Sequence, residues 1–143
     1  IVARETLLGA ALQLRKPLVS LAGDTHNAWH SNLTLKGLAS AAMKGIKAGE
    51  EFATPSVSSP GFERTLGLPA AQIKAIFEGA DGKTGAVDDL KWVNPAQRGY
   101  LKMTFISAPR PEARGEWIFV STVTDRTYTV DTAAGRVASY IPA

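Results

Sequence analysis

Cysteine is absent from this 143-residue sequence, which excludes disulfides, cysteine-ligated zinc sites and a thiol nucleophile. Long hydrophobic runs are also absent. No stretch approaches the roughly 18 apolar residues that cross a bilayer, so no transmembrane segment is predicted. Runs of like charge are missing as well, because 16 lysines and arginines are interleaved with 13 acidic residues. The net charge of +3 therefore indicates a mildly basic surface and no specific nucleic-acid partner.

The composition that remains is that of an ordinary folded domain. Apolar residues make up 45% of the chain and charged residues 20%, which excludes a disordered, coiled-coil or collagen-like protein. The sequence opens on Ile1 with a helical pattern that has no capping residue, no initiator methionine and no signal peptide. We therefore expect a fragment or a processed product of a longer chain.

The first part of the chain predicts alternating helices and strands. Apolar residues at helical spacing predict a helix over residues 3–15, which Pro17 ends. Residues 18–22 form a continuous apolar run, which is typical of a strand buried on both faces. Alternation predicts further strands at residues 31–35 and 51–54, and residues 36–49 could form either a short helix or a loop.

The second part of the chain is richer in strands. Residues 69–78 predict a helix with proline in its first turn, and residues 79–89 predict a loop. From Lys91 onward the period changes to two, which predicts three or four strands, one of them at residues 117–123. Pro109-Arg110-Pro111 separates two of these strands as a hairpin connection. The fold class is therefore α/β (α+β), with a strand-rich C-terminal half that ends in an antiparallel meander.

Two candidate metal ligands follow the first predicted strand, in the segment Gly23-Asp24-Thr25-His26. Residues two apart in an extended segment project to the same side, so Asp24 and His26 could reach one cavity at the end of the strand. Aspartate after glycine is also a common turn residue, and a loop histidine need not bind anything. Spacing alone leaves both interpretations open.

Other enzyme signatures are absent or incomplete. His30 follows His26 by four residues, but the intervening segment lacks the glutamate of a zinc-protease helix and follows a strand. The sequence contains no Gly-x-Ser-x-Gly elbow, no Walker loop and no dinucleotide fingerprint.

Several segments, taken in order, resemble one family. Gly23-Asp24-Thr25-His26-Asn27-Ala28-Trp29 resembles the last metal-binding motif of the alkaline phosphatase D (PhoD-type) metallophosphatases. Residues 51–61, with the letters EFATPSVSSPG, look like a second hallmark of that family. Arg98-Gly99-Tyr100 and residues 116–120 are similar to its closing strands.

The resemblance implies a four-layer αββα metallophosphatase sandwich and hydrolysis of phosphate esters at a centre of two metal ions. Asp24 would bind one metal, and His26 would bind the other or contact the phosphate. Asn27 would donate a hydrogen bond to a phosphate oxygen. Asp24 stands where the superfamily often has histidine, and a carboxylate favours oxygen-loving cations such as Ca²⁺ or Fe³⁺ over Zn²⁺. The resemblance thus implies Ca²⁺ and Fe³⁺ as the metal pair, in preference to Zn²⁺ or Mn²⁺.

The earlier ligand motifs of the superfamily are missing from the sequence. The resemblance therefore implies that residues 1–143 are the C-terminal part of a metallophosphatase domain, whose partner is the N-terminal remainder of the same enzyme. The isolated chain would then be nearly inactive, and the parent enzyme would be periplasmic or secreted. The alternative from another class is a non-catalytic, strand-rich binding or scaffolding module in which Asp24 and His26 are turn residues. The preferred substrate and the oligomeric state are not indicated.

Overall fold

The computed structural model describes residues 2–79, 84–122 and 128–142 of the chain. These ranges form three α-helices, one 3₁₀ turn and seven strands. The helical elements are α1 (Val2–Gln13), the 3₁₀ turn (Ala41–Met43), α2 (Phe62–Leu66) and α3 (Ala70–Glu78). The strands are β1 (Leu18–Ala22), β2 (Ala28–Thr34), β3 (Lys47–Ala53), β4 (Leu90–Asn94), β5 (Arg98–Ile106), β6 (Glu112–Thr122) and β7 (Tyr128–Tyr140).

The first four strands form one mixed sheet in the order β1-β3-β2-β4. β1 runs parallel to β3, and β2 runs antiparallel to both β3 and β4. The register pairs Ala22 with Ala53 and Ala28 with Asn94. The ends of β1, β3 and β4 and the start of β2 therefore lie at the same edge of this sheet.

The last three strands form an antiparallel meander in the order β5-β6-β7. The predicted hairpin connection at Pro109-Arg110-Pro111 joins β5 to β6, whose pairing begins at Ile106 and Glu112. The expected strand-rich C-terminal half is confirmed, with four strands after Asp89 in the described residues. Val123, the end of one predicted strand, lies outside the described residues.

The two sheets pack face to face through large aromatic side chains. Phe52 of β3 and Trp117 of β6 are buried and stack with their ring centroids 5.7 Å apart, and Trp92 of β4 lies 5.2 Å from Trp117. The indole Nε1 of Trp117 also donates a hydrogen bond of 2.8 Å to the carbonyl oxygen of Ala53. At Gly115 a Cβ atom would lie only 2.6 Å from the Phe52 ring, so glycine is required for this close approach. Aromatic burial of this kind is the main stabilising contribution to a core of this size.

The helices lie on the other face of the mixed sheet. Leu8 of α1 packs on Leu35, next to β2. Phe62 of α2 and Phe77 of α3 pack around Trp29 of β2, with ring centroids 5.4 to 6.1 Å apart. The described residues therefore form three layers, one of helices and two of sheet, and the α+β class is confirmed. They do not form the second helical layer of a four-layer sandwich.

The predicted burial of β1 on both faces is wrong. Residues 18–22 do form a strand, but its side chains are half-buried, and Leu21 is 59% exposed. The reason is its position, because β1 is an edge strand of the described sheet, with β3 on one side only. An apolar sequence alone does not reveal which strand of a sheet lies at the edge.

The remaining boundaries differ in detail. The ambiguous residues 36–49 form a loop with one 3₁₀ turn and then the start of β3, which begins at Lys47 instead of Glu51. The short helix α2 was not predicted, whereas the predicted helices at residues 3–15 and 69–78 are confirmed to within two residues. Part of the predicted loop 79–89, residues 80–83, lies outside the described residues. No helix of the described ranges is long and apolar enough to cross a membrane.

Candidate active site

The candidate site lies at the edge of the mixed sheet where the three strand ends meet. Residues 23–27, here called the edge turn, leave β1 at this edge and lead into β2. Residues 55–61, here called the serine loop, leave β3 at the same edge. Because β1 and β3 are parallel and in register at their ends, the two segments are neighbours, and the amide nitrogen of Thr54 donates a 2.8 Å hydrogen bond to the carbonyl oxygen of Ala22.

Asp24 and His26 are both exposed on the edge turn. The turn is closed by a 3.3 Å hydrogen bond from the His26 amide nitrogen to the Gly23 carbonyl oxygen. His26 has a φ angle of +59°, in the left-handed region that few non-glycine residues adopt. Neither side chain makes a hydrogen bond or an ion pair with any other described residue. Carboxylate and imidazole groups that are exposed and unbonded fit the donor chemistry of a metal site.

The same turn does not complete a metal site. In residues 2–79, 84–122 and 128–142, no three histidine, cysteine, aspartate or glutamate side chains lie close enough together to hold a metal ion. Asp24 and His26 therefore fit a metal centre only as two of its ligands.

Asn27 differs from the two residues before it, because it is fully buried, with 0% of its surface exposed. Its side-chain amide is hydrogen-bonded within the protein at both ends, to the carbonyl oxygen of Thr25 and to the amide nitrogen of Phe62. The hydrogen bond to a phosphate oxygen that the sequence predicts for Asn27 remains a prediction.

The serine loop is held in place by local and long-range hydrogen bonds. The Ser56 hydroxyl oxygen accepts hydrogen bonds from the amide nitrogens of Ser58 and Ser59, at 3.3 and 2.9 Å, which makes this a serine-capped turn. The amide nitrogen of Gly99 donates to the Ser56 carbonyl oxygen at 3.0 Å, and Nε of Arg98 donates to the Ser58 carbonyl oxygen at 3.3 Å. The start of β5 is thereby attached to the serine loop.

An ionic cluster that no sequence motif indicates is centred on the buried pair His30 and Glu50 and includes the partly exposed Lys47 and Lys91. It is here called the Glu50 cluster. His30 and Glu50 are each 2% exposed and share a short hydrogen bond between Nε2 and Oε2. The other carboxylate oxygen of Glu50 accepts from Lys47 and, at 3.0 Å, from Lys91. The His30 ring also stacks on Phe52, with centroids 4.5 Å apart. The cluster therefore joins β2, β3 and β4 inside the interface between the sheets.

The electrostatics of the Glu50 cluster favour an ionised glutamate. Burial raises the pKa of Glu50, but the hydrogen bonds from His30, Lys47 and Lys91 lower it by a larger amount. The net result is a pKa lowered from 4.5 to about 2. Lys47 lies three residues before Glu50 on β3, and Lys91 lies on β4, on the other side of β2. The sequence could have indicated the Lys47–Glu50 pair only if β3 had been predicted to begin at Lys47.

Three of the segments that carried the family resemblance thus lie next to one another at one sheet edge: the edge turn, the serine loop and the start of β5. The sequence model of the PhoD-like phosphatases matches residues 1–110, and the chain therefore belongs to the PhoD-like phosphatase family. The matched range includes all three segments, while residues 116–120 lie beyond it. No curated protein and no solved structure matches the chain. Members of this family are phosphatases, which are generally metal-dependent and generally secreted.

Proposed function

We propose that this chain contributes the last metal-ligand motif of an enzyme that hydrolyses phosphate esters, as a phosphomonoesterase or a phosphodiesterase. The observation that carries the proposal is the edge turn. Asp24 and His26 are exposed there without a bonded partner among the described residues, where the family's segments converge. Polar side chains that the fold leaves unbonded at a strand-end edge are available to a ligand.

Each of the two side chains has a definite role in this proposal. Asp24 supplies a carboxylate to a hard cation, which favours Ca²⁺ and Fe³⁺ as the metal pair. His26 supplies an imidazole nitrogen to the second metal or to a phosphoryl oxygen. Metal ions held by these residues would supply charge neutralisation at the phosphoryl group and a metal-bound water as nucleophile at neutral pH.

The proposal requires a partner for the chain. Two ligands do not assemble a centre of two metal ions, so the remaining ligands come from the N-terminal remainder of the same enzyme. The exposed edge of β1, with Leu21 on it, offers a surface on which such a remainder could pack. We expect the isolated chain to show almost no metal-dependent turnover of nitrophenyl phosphate. The complete enzyme is expected in the periplasm or outside the cell.

The decisive substitution is Asp24→Asn in the complete enzyme. Asparagine keeps the volume and the turn-forming ability of aspartate and removes only the negative charge. We expect kcat/KM to fall by orders of magnitude, with partial recovery at excess metal and a change in folding stability within about 0.5 kcal/mol. The measurement is kcat/KM against metal concentration, with circular dichroism as the folding control.

Asp88→Asn is the matched control. The Asp88 side chain is 81% exposed and pairs only with Lys36 among the described residues, so its loss should leave turnover unchanged. Kinetics of Asp24→Asn that equal those of the wild type at limiting metal would contradict the proposal and leave Asp24 as a turn residue.

A further inference from the structure

Asn27 lies at the boundary between the exposed edge turn and the buried start of β2. The three residues before it are exposed, whereas Asn27 and Ala28 are each 0% exposed. A fully buried asparagine must have its amide hydrogen-bonded, because an unpaired polar group is costly in the interior. The partners of this amide therefore show what the residue does.

The two ends of the Asn27 amide connect two segments of the chain. Its Nδ2 donates a short hydrogen bond to the carbonyl oxygen of Thr25, inside the edge turn. Its Oδ1 accepts a 3.0 Å hydrogen bond from the amide nitrogen of Phe62, at the start of α2. The orientation of the amide is fixed by these partners, because one is a pure acceptor and the other a pure donor.

Phe62 is itself held from two sides. Its amide nitrogen lies 3.1 Å from the carbonyl oxygen of Pro95, so the N–H is shared between Pro95 and Asn27. Its ring packs against Trp29 and Phe77, with centroids 6.0 and 5.4 Å away. Asn27 thus attaches the edge turn to Phe62, whose position is fixed by the packing of its ring.

Gly61 explains how the chain approaches Asn27 so closely. A Cβ atom at this position would lie 2.5 Å from Oδ1 of Asn27 and 2.3 Å from the carbonyl oxygen of Pro95, both too short for any side chain. The φ angle of Gly61 is −87°, which every residue adopts, so glycine is needed for space and not for conformation. Gly61, which the sequence predicts to lie in a turn, is therefore also needed to leave room for the Asn27 side chain.

The edge turn needs such an attachment. His26 holds a left-handed backbone conformation, with φ +59°, which persists only where surrounding contacts enforce it. The closing hydrogen bond from the His26 amide nitrogen is long, at 3.3 Å. The hydrogen bond from Asn27 to Thr25 supplies a second restraint inside the same turn.

We propose that Asn27 is a positioning residue: its buried amide fixes the edge turn to Phe62 and so presents Asp24 and His26 in one orientation. The proposal rests on the proposed function for the role of those two side chains. It is the alternative to a direct hydrogen bond from Asn27 to the phosphate, and it is favoured by the complete burial of Asn27 and by the partners that Nδ2 and Oδ1 already have. Residues that orient ligands in this way typically change metal affinity by 10–100-fold when they are removed.

The test compares Asn27→Ala and Gly61→Ala with the wild type in the complete enzyme. Gly61→Ala leaves Asn27 in the chain but forces its Oδ1 away from Phe62, so both variants should weaken the same attachment. Leu8→Ala, in α1 on the far part of the sheet, is the matched control for general loss of packing. Three quantities are measured: amide hydrogen exchange of Phe62 without metal, Ca²⁺ affinity by equilibrium dialysis, and inhibition by inorganic phosphate at saturating metal.

We expect 10–100-fold weaker Ca²⁺ binding in both variants. The Phe62 amide should exchange faster than in the wild type, by a smaller factor in Asn27→Ala, where its hydrogen bond to Pro95 remains. At saturating metal, the inhibition constant of phosphate should stay as in the wild type. The control should change none of the three quantities. If Asn27→Ala does not fold, the test uses Gly61→Ala and Asn27→Asp. Asn27→Asp keeps the oxygen that accepts the hydrogen bond from Phe62, so the Phe62 amide should stay protected from exchange in this variant.

Two results would overturn the positioning role. One is unchanged Ca²⁺ affinity with weaker phosphate inhibition in Asn27→Ala, which would show a direct phosphate contact. The other is Ca²⁺ affinity and Phe62 exchange equal to those of the wild type. A wild-type enzyme that binds no metal would instead contradict the proposed function, and the exchange data, which need no metal, would still report on the attachment to Phe62.

Discussion

Two histidines that are four residues apart in the sequence lie in opposite environments. His30 is buried between the sheets, bonded to Glu50 and stacked on Phe52. His26 is exposed on the edge turn and makes no side-chain hydrogen bond with the described residues. The difference separates polar groups that are hydrogen-bonded inside the protein from polar groups that are exposed without such a partner. A buried, hydrogen-bonded group such as His30 contributes to stability, whereas an exposed group such as His26 is available to a ligand.

The acidic residues beside the two histidines, Glu50 and Asp24, differ in the same way. Glu50 accepts hydrogen bonds from three side chains on three strands, whereas Asp24, on the turn, has no partner among the described residues. Both oxygens of the Glu50 carboxylate are thus hydrogen-bonded to histidine and lysine inside the protein. We therefore interpret the Glu50 cluster as a structural element, whereas our proposal assigns the metal ligands to the edge turn.

The largest effect on stability is expected from Glu50→Ala. The substitution leaves the buried His30 and the partly exposed Lys47 and Lys91 without the anion that they share. Breaking a buried ion pair from one side typically costs about 3–5 kcal/mol. Chemical denaturation followed by circular dichroism measures the free energy of unfolding.

The matched control for this prediction is Glu51→Ala, one residue further along β3. Glu51 lies on the other face of the sheet and accepts one hydrogen bond, of 2.9 Å, from the Ser20 hydroxyl. Its removal should cost about 1 kcal/mol. If both substitutions lowered the free energy of unfolding equally, the structural role assigned to the Glu50 cluster would be contradicted. Glu50 would then contribute no more to stability than its half-buried neighbour Glu51.

A somewhat smaller effect is expected from acid. The folded-state pKa of Glu50 is lowered from 4.5 to about 2, so its contribution is complete above pH 4.5 and is lost as the pH falls toward 2. The depressed pKa corresponds to about 3 kcal/mol. Unfolding free energies of the wild type and of Glu50→Gln should therefore converge as the pH falls through this range. A difference that stays constant from pH 5 to pH 2 would contradict the assignment.

The smallest effect is expected from an ion pair on the surface. Lys102 of β5 lies 3.0 Å from Glu116 of β6, but the Lys102 side chain is 62% exposed. Exposed pairs typically contribute about 0–1 kcal/mol, because water screens them. Lys102→Ala should therefore change the free energy of unfolding by less than about 1 kcal/mol, in the same denaturation experiment. A loss comparable to that of Glu50→Ala would show that burial does not separate the two kinds of pair.

The elements that the sequence predicted well are those with strong local signals. The helix at residues 69–78 has a proline at its start and an apolar face, and the C-terminal strands alternate clearly. Residues 36–49 were ambiguous because alanine, glycine and lysine suit several conformations. The edge position of β1 could not be predicted, because it depends on which strands pair and not on the residues of β1.

The candidate site divides in the same way. The Gly23-Asp24-Thr25-His26 pattern identifies the edge turn, because spacing and residue type are local properties. The burial of Asn27 and of Glu50 depends on contacts with residues 35 and up to 41 positions away, so no local pattern reveals it. Asn27 in particular reads as one more polar residue of an exposed turn, although its amide faces the interior.

The central claim, that the edge turn and not the Glu50 cluster binds metal, is tested most directly by the metal content of two variants of the complete enzyme. Asp24→Ala removes the carboxylate of the edge turn, and His30→Gln removes the imidazole of the Glu50 cluster. The bound metal is counted after equilibrium dialysis at a temperature where both variants remain folded. We predict that Asp24→Ala loses bound metal with little change in stability, whereas His30→Gln keeps its metal and unfolds at lower denaturant concentration. Metal retained in Asp24→Ala and lost from folded His30→Gln would contradict the account.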